Sequence, residues 1–131
     1  MDCCKNTTLS CFRVLDGCGM GIFPFHCENI LLDRVTMTCD ERSRGVVTTS
    51  ADAIHSFGAS GRFEIRDSVI EGMVDDGLNV HSNFFTVESV SGDTMTVHTG
   101  LEASEYTPLF LPGDRIRVYH GFTLDAATLE A

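Results

Sequence analysis

The chain has 131 residues, of which 43% are hydrophobic and 21% charged, a composition typical of a small folded domain and not of a disordered chain. Nine basic and 19 acidic side chains give a net charge of −10, which would repel a nucleic-acid backbone or an anionic membrane surface. No window reaches the roughly 18 apolar residues of a membrane-spanning helix. Neutral sugars and small molecules remain as classes of partner, and we expect no nucleic acid and no membrane.

The N-terminal stretch MDCCKNTTLSCFRVLDGCG lacks the basic end, apolar run and small-residue cleavage site of a signal peptide. We therefore expect no signal peptide in this chain, and a longer parent that is secreted or periplasmic in a bacterium stays compatible with it. No CxxC pair occurs, which argues against a zinc site. We interpret the cysteines as free, small, buried hydrophobic side chains, the alternative being a disulfide framework. They are Cys3, Cys4, Cys11, Cys18, Cys27 and Cys39.

Short strands separated by polar turns recur along the chain. Three segments share a turn residue, an aliphatic pair, a polar turn and a second short aliphatic strand. They are NTTLSCFRVLDG (6–17), ENILLDRVTMTC (28–39) and GRFEIRDSVIEG (61–72). The spacing from Leu15 to Val35 is 20 residues and that from Asp33 to Asp67 is 34. Units of roughly 20–25 residues predict the coils of a parallel β-helix, with 40–45 as an insertion.

A second set of similar segments lies between the first. It consists of GMGIFPFHC (19–27), ADAIHSFGAS (51–60) and DDGLNVHSN (75–83). Each has a small residue followed by an aliphatic one, so the three segments align at Ile22, Ile54 and Leu78. We expect these three side chains to form one buried ladder between stacked strands about 4.8 Å apart. Alternation then directs His55 and Asn79 outward, one above the other, with Phe57 and His81 beside them.

The pattern changes after Asn83. FFTVESVSGDTMTVH (84–98) alternates on both sides of SGD, which predicts a β-hairpin, and PGD (112–114) predicts a turn before another strand. The final residues DAATLEA show no closing strand. We therefore predict an all-β protein, with β-helix coils over 1–83 and an antiparallel hairpin or small barrel module, incomplete, over 84–131. So few coils would leave strand edges open, so we expect the chain to be a piece of a longer protein.

The alignment also brings acidic residues together. If Ala53 stacks on Gly77, then Asp52 stacks on Asp76, with Asp75 next to it. Three carboxylates this close repel, so at least one pKa should be raised unless a bound group compensates. Carboxylates that titrate apart suit general acid–base chemistry, and glycoside hydrolysis uses such sets, although spacing alone does not choose between retention and inversion.

Two other interpretations of the aspartates stay open. With Asn79 and backbone carbonyls, the three carboxylates would also suit calcium, and an Asp-Asp-Gly sequence can serve a sharp turn alone. His55, Asn79 and His81 are candidates for binding sugar hydroxyls, the alternatives being surface positions and an asparagine ladder.

The segment SADAIHSFGASGRFEIRDSVIEGMVDDGLNVHSN (50–83) resembles the central part of glycoside hydrolase family 110, and the PGD strand adds to the resemblance. That family implies a right-handed parallel β-helix with inserted β-barrel modules. It also implies inverting, metal-free hydrolysis of terminal α-1,3-linked galactose on a glycan, without a cofactor. Matched to its motifs, Asp52, Asp75 and Asp76 are the catalytic set.

Our hypothesis for the roles is that Asp52 and Asp76 hold and deprotonate the water while Asp75 protonates the leaving oxygen. A non-catalytic β-helix module that binds glycans or serves a structural purpose is the alternative from another class. A calcium-dependent polysaccharide lyase is a third, although the nearest basic residues, Arg62 and Arg66, fall on another strand.

Overall fold

The computed structural model describes residues 1–42, 45–82, 84–98, 110 and 112–119, and the backbone of 126–130. These residues form twelve β-strands and no helix, which confirms the all-β class. It follows that no helix in the described part of the chain has the length and apolar character of a membrane span. The strands are β1 Lys5–Ser10, β2 Arg13–Leu15, β3 Glu28–Asp33, β4 Thr36–Thr38, β5 Ile54–Phe57, β6 Ser60–Arg66, β7 Val69–Ile70, β8 Leu78–His81, β9 Thr86–Ser91, β10 Thr94–His98, β11 Arg115–Tyr119 and β12 Ala126–Glu130.

The first eight strands form three parallel sheets. Their orders are β1-β3-β6, β2-β4-β7 and β5-β8. Two parallel bridges extend the third sheet, because Ile22 pairs with Ile54 and Phe25 pairs with Phe57. Each sheet therefore takes one strand from each of the similar segments of the sequence, as the repeats predict.

The strand register corrects two of the predicted spacings. Leu15 pairs with Thr38, 23 residues later, and not with Val35, which lies in the bend before β4. Asp33 pairs with Arg66 and not with the following aspartate. The turn between the two strands of a unit is two residues long in all three units, at 11–12, 34–35 and 67–68, so the backbone ladder and not similarity of composition decides the alignment.

The apolar core lies between the three parallel sheets. Its buried members are Ile22, Cys27, Ile30, Leu32, Val35, Met37, Ala53 and Ile54. The predicted ladder pairs in register at Ile22, Ile54 and Leu78, but Leu78 is not buried. Ile54 is fully buried, whereas Leu78 is 45% exposed because β8 is an edge strand with no described strand beyond it.

The second residue of each of β1, β3 and β6 has a left-handed backbone conformation. Asn6, Asn29 and Gly61 occupy equivalent positions, with φ of 51°, 55° and 67°. The Asn29 amide donates to Oδ1 of Asn6 at 3.0 Å, and its own Oδ1 accepts from the Arg62 main-chain N–H at 3.0 Å. A Cβ on Gly61 would overlap that Oδ1 of Asn29. Glycine at this position of β6 therefore satisfies both the positive φ and the close approach.

Met1–Phe84 and Phe85–Ala131 are separate compact units. In the second unit, β9 and β10 form the hairpin predicted around Gly92, and β11 pairs with β12 antiparallel. The described residues of this unit form two two-stranded sheets and no closed barrel. The expectation that the last residues contain no strand is wrong, because backbone pairing with β11 overrides the weak strand propensity of 126–130.

All six cysteines are free thiols, but the prediction that they are buried holds for Cys27 alone. Cys4 and Cys39 are half-buried, and Cys3, Cys11 and Cys18 are exposed. The exposed three lie at corners and bends outside the sheets, where a small side chain does not reach the core.

Candidate active site

Asp52 lies immediately before β5, where main-chain hydrogen bonds hold it from both sides. Its carbonyl accepts from the N–H of Gly21 at 3.1 Å, and the N–H of Ala53 donates to the carbonyl of Asp76 at 2.9 Å. The predicted alignment of Asp52 with Asp76 is therefore the alignment in the structure. With Asp52 only 5% exposed, the backbone register sets the position of its carboxylate.

The other two aspartates lie in the turn that leads into β8. The N–H of Val74 donates to the carbonyl of Thr49 at 3.1 Å, which fixes the start of this turn. One carboxylate oxygen from each of Asp52, Asp75 and Asp76 lies within 4.8 Å of the others. Asp75 and Asp76 are exposed, and in the described part of the chain their carboxylates accept no hydrogen bond from the turn. A role limited to capping that turn does not account for them.

Asp52 differs from its two neighbours in being held by hydrogen-bond donors. Its Oδ2 lies 2.5 Å from Nδ1 of His55, and its Oδ1 accepts from the main-chain N–H of Asp76 at 3.2 Å. The hydrogen bond from His55 holds the pKa of Asp52 below its usual value, with the Asp76 N–H and the Asn79 side chain acting the same way against the opposing effect of burial. Charge repulsion predicts a raised pKa within the cluster, but at Asp52 the hydrogen bonds lower it.

His55 continues the contact to a second histidine. Its Nε2 lies 2.8 Å from Nε2 of His81, and the two rings meet edge to face with centroids 4.7 Å apart. Phe23 packs its edge against His55 at 5.2 Å, and Phe57 packs against His81 at 5.1 Å. The imidazoles are therefore fixed by ring packing as well as by hydrogen bonds.

The structure thus brings all six residues of the predicted site together. Asn79 pairs with His55 and His81 pairs with Phe57 across β5 and β8, as the alternation predicts. The hydrogen bond between Asp52 and His55 is not predicted, although their three-residue spacing across a turn into a strand is a signal that could indicate it. Phe23, 40% exposed beside His55, was also missed, and its position in the FPF segment aligned with β5 is the available signal.

The donors around the cluster also bear on the open interpretations. N–H groups engage both oxygens of Asp52, so the carboxylates of the cluster without such donors in the described part of the chain are those of Asp75 and Asp76. Calcium takes six to eight oxygens, so these carboxylates would need Asn79, main-chain carbonyls or water to complete a calcium site. Arg66 pairs with Asp33 at 2.9 Å and Arg62 pairs with Glu64 at 3.0 Å, so neither is placed as the base of a lyase.

Comparison with curated proteins finds galactosidases. The chain is 30% identical over 103 residues to α-1,3-galactosidase B of Phocaeicola vulgatus, covering 78% of the chain and 17% of that enzyme. It is 38% identical over 84 residues to α-1,3-galactosidase B of Bacteroides fragilis, covering 63% and 14%, and 27% identical over 113 residues to α-1,3-galactosidase A of Shewanella woodyi, covering 86% and 19%. The chain spans less than a fifth of the length of each of these relatives. No protein-family model matches it.

Proposed function

We propose that this chain carries the catalytic carboxylates of a glycoside hydrolase that releases terminal α-1,3-linked galactose from a glycan. The observation that carries the proposal is the approach of the Asp52, Asp75 and Asp76 oxygens to within 4.8 Å of one another, in a segment similar to α-1,3-galactosidases. The proposal places the site on successive coils of a right-handed parallel β-helix, with residues 84–131 as a separate antiparallel module. The three parallel sheets, each paired in chain order, support that architecture.

The differing environments support different roles for the three aspartates. Asp52 is buried, and N–H donors hold both of its oxygens, so it stays ionised and acts as a base that orients the attacking water. Asp76 donates its main-chain N–H to Asp52, and its carboxylate holds the same water from the other side. Asp75, exposed and free of such donors in the described part of the chain, protonates the leaving oxygen.

Hydrogen bonding at Asp52 also supports inversion of configuration. A carboxylate with both oxygens engaged is a poor nucleophile for a covalent intermediate but can still polarise a water. The oxygens of the set nevertheless lie closer than the roughly 6.5–9.5 Å between the two carboxyls of most inverting enzymes. Anomer analysis by proton NMR of the first galactose released is therefore decisive. We expect the β-anomer, and initial release of the α-anomer would make Asp75 or Asp76 a nucleophile.

Galactose release from galactosyl-α-1,3-galactose tests the activity. We expect release by this chain, or by a longer protein that contains it, and loss of release in the Asp52→Asn variant. An Asp93→Asn variant, in the hairpin turn of the second unit, is the matched control and should keep the activity. Sugar binding without release by both the chain and the longer protein would favour a non-catalytic carbohydrate-binding module, and the absence of both binding and release would favour a structural module.

A further inference from the structure

His55 has both ring nitrogens engaged inside the protein. Nδ1 lies 2.5 Å from Oδ2 of Asp52, and Nε2 lies 2.8 Å from Nε2 of His81. An ionised carboxylate can only accept a hydrogen bond, so Nδ1 of His55 carries the proton that it donates to Asp52. No nitrogen of His55 is left to bind a sugar hydroxyl, which conflicts with the substrate-binding role that the sequence suggests.

We propose that His55 is a positioning residue that fixes the carboxylate of Asp52, and that His81 is the histidine that contacts the sugar, through Nδ1. The proposal deepens the proposed function and rests on it. It assigns different tasks to two residues that the sequence treats alike.

The assignment to His81 follows from counting protons along the two rings. A neutral His55 with its proton on Nδ1 has a lone pair on Nε2, so Nε2–H of His81 must be the donor between the rings. Neutral His81 then has its lone pair on Nδ1, which makes no hydrogen bond within the described residues. Nδ1 of His81 is therefore an acceptor of fixed orientation, and its natural partner is the O–H group of a sugar.

Burial and ring packing hold this arrangement. The side chains of His55 and Asp52 are 15% and 7% exposed, so water competes weakly for their hydrogen bond. Phe23 and Phe57 pack edgewise against the two imidazoles and limit ring rotation. On the opposite side of the carboxylate, the main-chain N–H of Asp76 completes the restraint.

Other charged groups nearby do not replace His55. Asp75 and Asp76 bring only carboxylate oxygens close to Asp52 and offer no side-chain nitrogen as a donor. Asn79 donates to Asp52, but as a neutral amide from the neighbouring strand. The N-terminal ammonium donates to the carbonyl of Phe23 at 2.9 Å. His55 is therefore the one imidazole that contacts Asp52 among the described residues.

Two amide substitutions of His55 separate its two contacts. The amide nitrogen of His55→Asn reaches the position of Nδ1 and keeps the donor to Asp52, whereas that of His55→Gln reaches the position of Nε2 and loses it. With p-nitrophenyl α-galactoside, we expect His55→Asn to keep kcat within about tenfold and His55→Gln to lose about 100-fold, both with little change in KM. His81→Phe should instead raise KM. His98→Asn and His98→Gln, on the exposed hairpin, are the matched controls.

Nitrogen-15 NMR of the histidine rings tests the hydrogen bonds without reference to activity. We expect His55 as the Nδ1–H tautomer and His81 as the Nε2–H tautomer at neutral pH, and a shift of the His55 signal in Asp52→Ala. His55 as the Nε2–H tautomer, equal kcat for its Asn and Gln variants, or a main effect of those variants on KM would overturn the proposal. If the expected tautomers are found but neither the chain nor a longer protein that contains it hydrolyses the substrate, the proposed function is contradicted and the positioning contact stands.

Discussion

The main-chain N–H of Asp76 donates to Oδ1 of Asp52, a residue 24 positions earlier in the chain. This contact connects two acidic residues across neighbouring strands of one parallel sheet, and with the His55 imidazole it fixes the orientation of the buried carboxylate. The carboxylate of Asp52 is therefore held by hydrogen bonds, whereas those of Asp75 and Asp76 are exposed. This difference affects both the activity and the stability of the chain.

The first prediction concerns the roles of the aspartates. Asp52→Asn should lower kcat by roughly 10³-fold or more for every substrate, because the base acts whatever the leaving group is. Asp75→Asn should lose a similar factor on galactosyl-α-1,3-galactose but recover most of its rate with p-nitrophenyl α-galactoside, whose leaving group needs little protonation. Steady-state kinetics on both substrates checks this, and recovery by Asp52→Asn in place of Asp75→Asn would reverse the assignment.

The second prediction concerns stability in acid. Because the pKa of Asp52 is lowered in the folded chain, its ionised form contributes stability that is fully present above the unfolded value, near 4, and is lost as pH falls through the lower folded value. The urea concentration at the midpoint of unfolding should therefore decrease as the pH is lowered from 5 to 2. This decrease should be smaller in Asp52→Asn than in the wild type.

Asp40 provides a comparison for this acid titration. Hydrogen bonds from Arg42 lower the pKa of Asp40 too, so Asp40→Asn should also reduce the pH dependence. At pH 7, however, Asp52→Asn alone should disturb the signal of His55, because Asp40 lies outside the site. An equal acid loss for the wild type and Asp52→Asn would contradict the stabilising contact.

The third prediction compares two positions of one aliphatic ladder. Ile54 is fully buried and paired on both sides, so Ile54→Ala should lower the free energy of unfolding by about 3 kcal/mol. Leu78 is in register with Ile54 but 45% exposed, so Leu78→Ala should lower the free energy of unfolding by less than about 1 kcal/mol. Chemical denaturation of both variants measures the difference, and equal costs would show that Leu78 is covered in solution.

The fourth prediction concerns Gly61, the second residue of β6. Gly61→Ala adds a Cβ that overlaps Oδ1 of Asn29 at a positive φ, so we expect it to cost about 2–3 kcal/mol. Gly19→Ala has a similarly positive φ with open space around it, so this control should cost about 1 kcal/mol. In an Asn29→Ala background, the excess cost of Gly61→Ala should largely disappear. An unchanged cost there would attribute the whole effect to backbone strain.

Sequence repetition was sufficient to predict which segments become neighbouring strands at the site and how they align there. The small-then-aliphatic pairs at Ile22, Ile54 and Leu78 define which strands become neighbours, and that alignment alone puts Asp52 beside Asp76. It does so because the ladder of a parallel sheet allows one register when one face of the strand must be buried.

Several features could not be read from the sequence, because each depends on what lies beside a strand in space. The exposure of Leu78 depends on the absence of a described strand beyond β8, and the strand at 126–130 exists through its pairing with β11. Exposure of most of the cysteines depends in the same way on the path of the chain at its corners.

The sequence by itself determined the all-β class, the neighbouring segments and the meeting of three aspartates, because alternation and spacing act through the backbone. Only the tertiary structure decided which aspartate is anchored and which histidine nitrogens are occupied. Those properties depend on the direction and burial of each side chain and on distances between atoms to within a few tenths of an ångström. His55, the second residue of β5, contacts the carboxylate of Asp52 immediately before that strand, and no periodicity in the sequence records this contact.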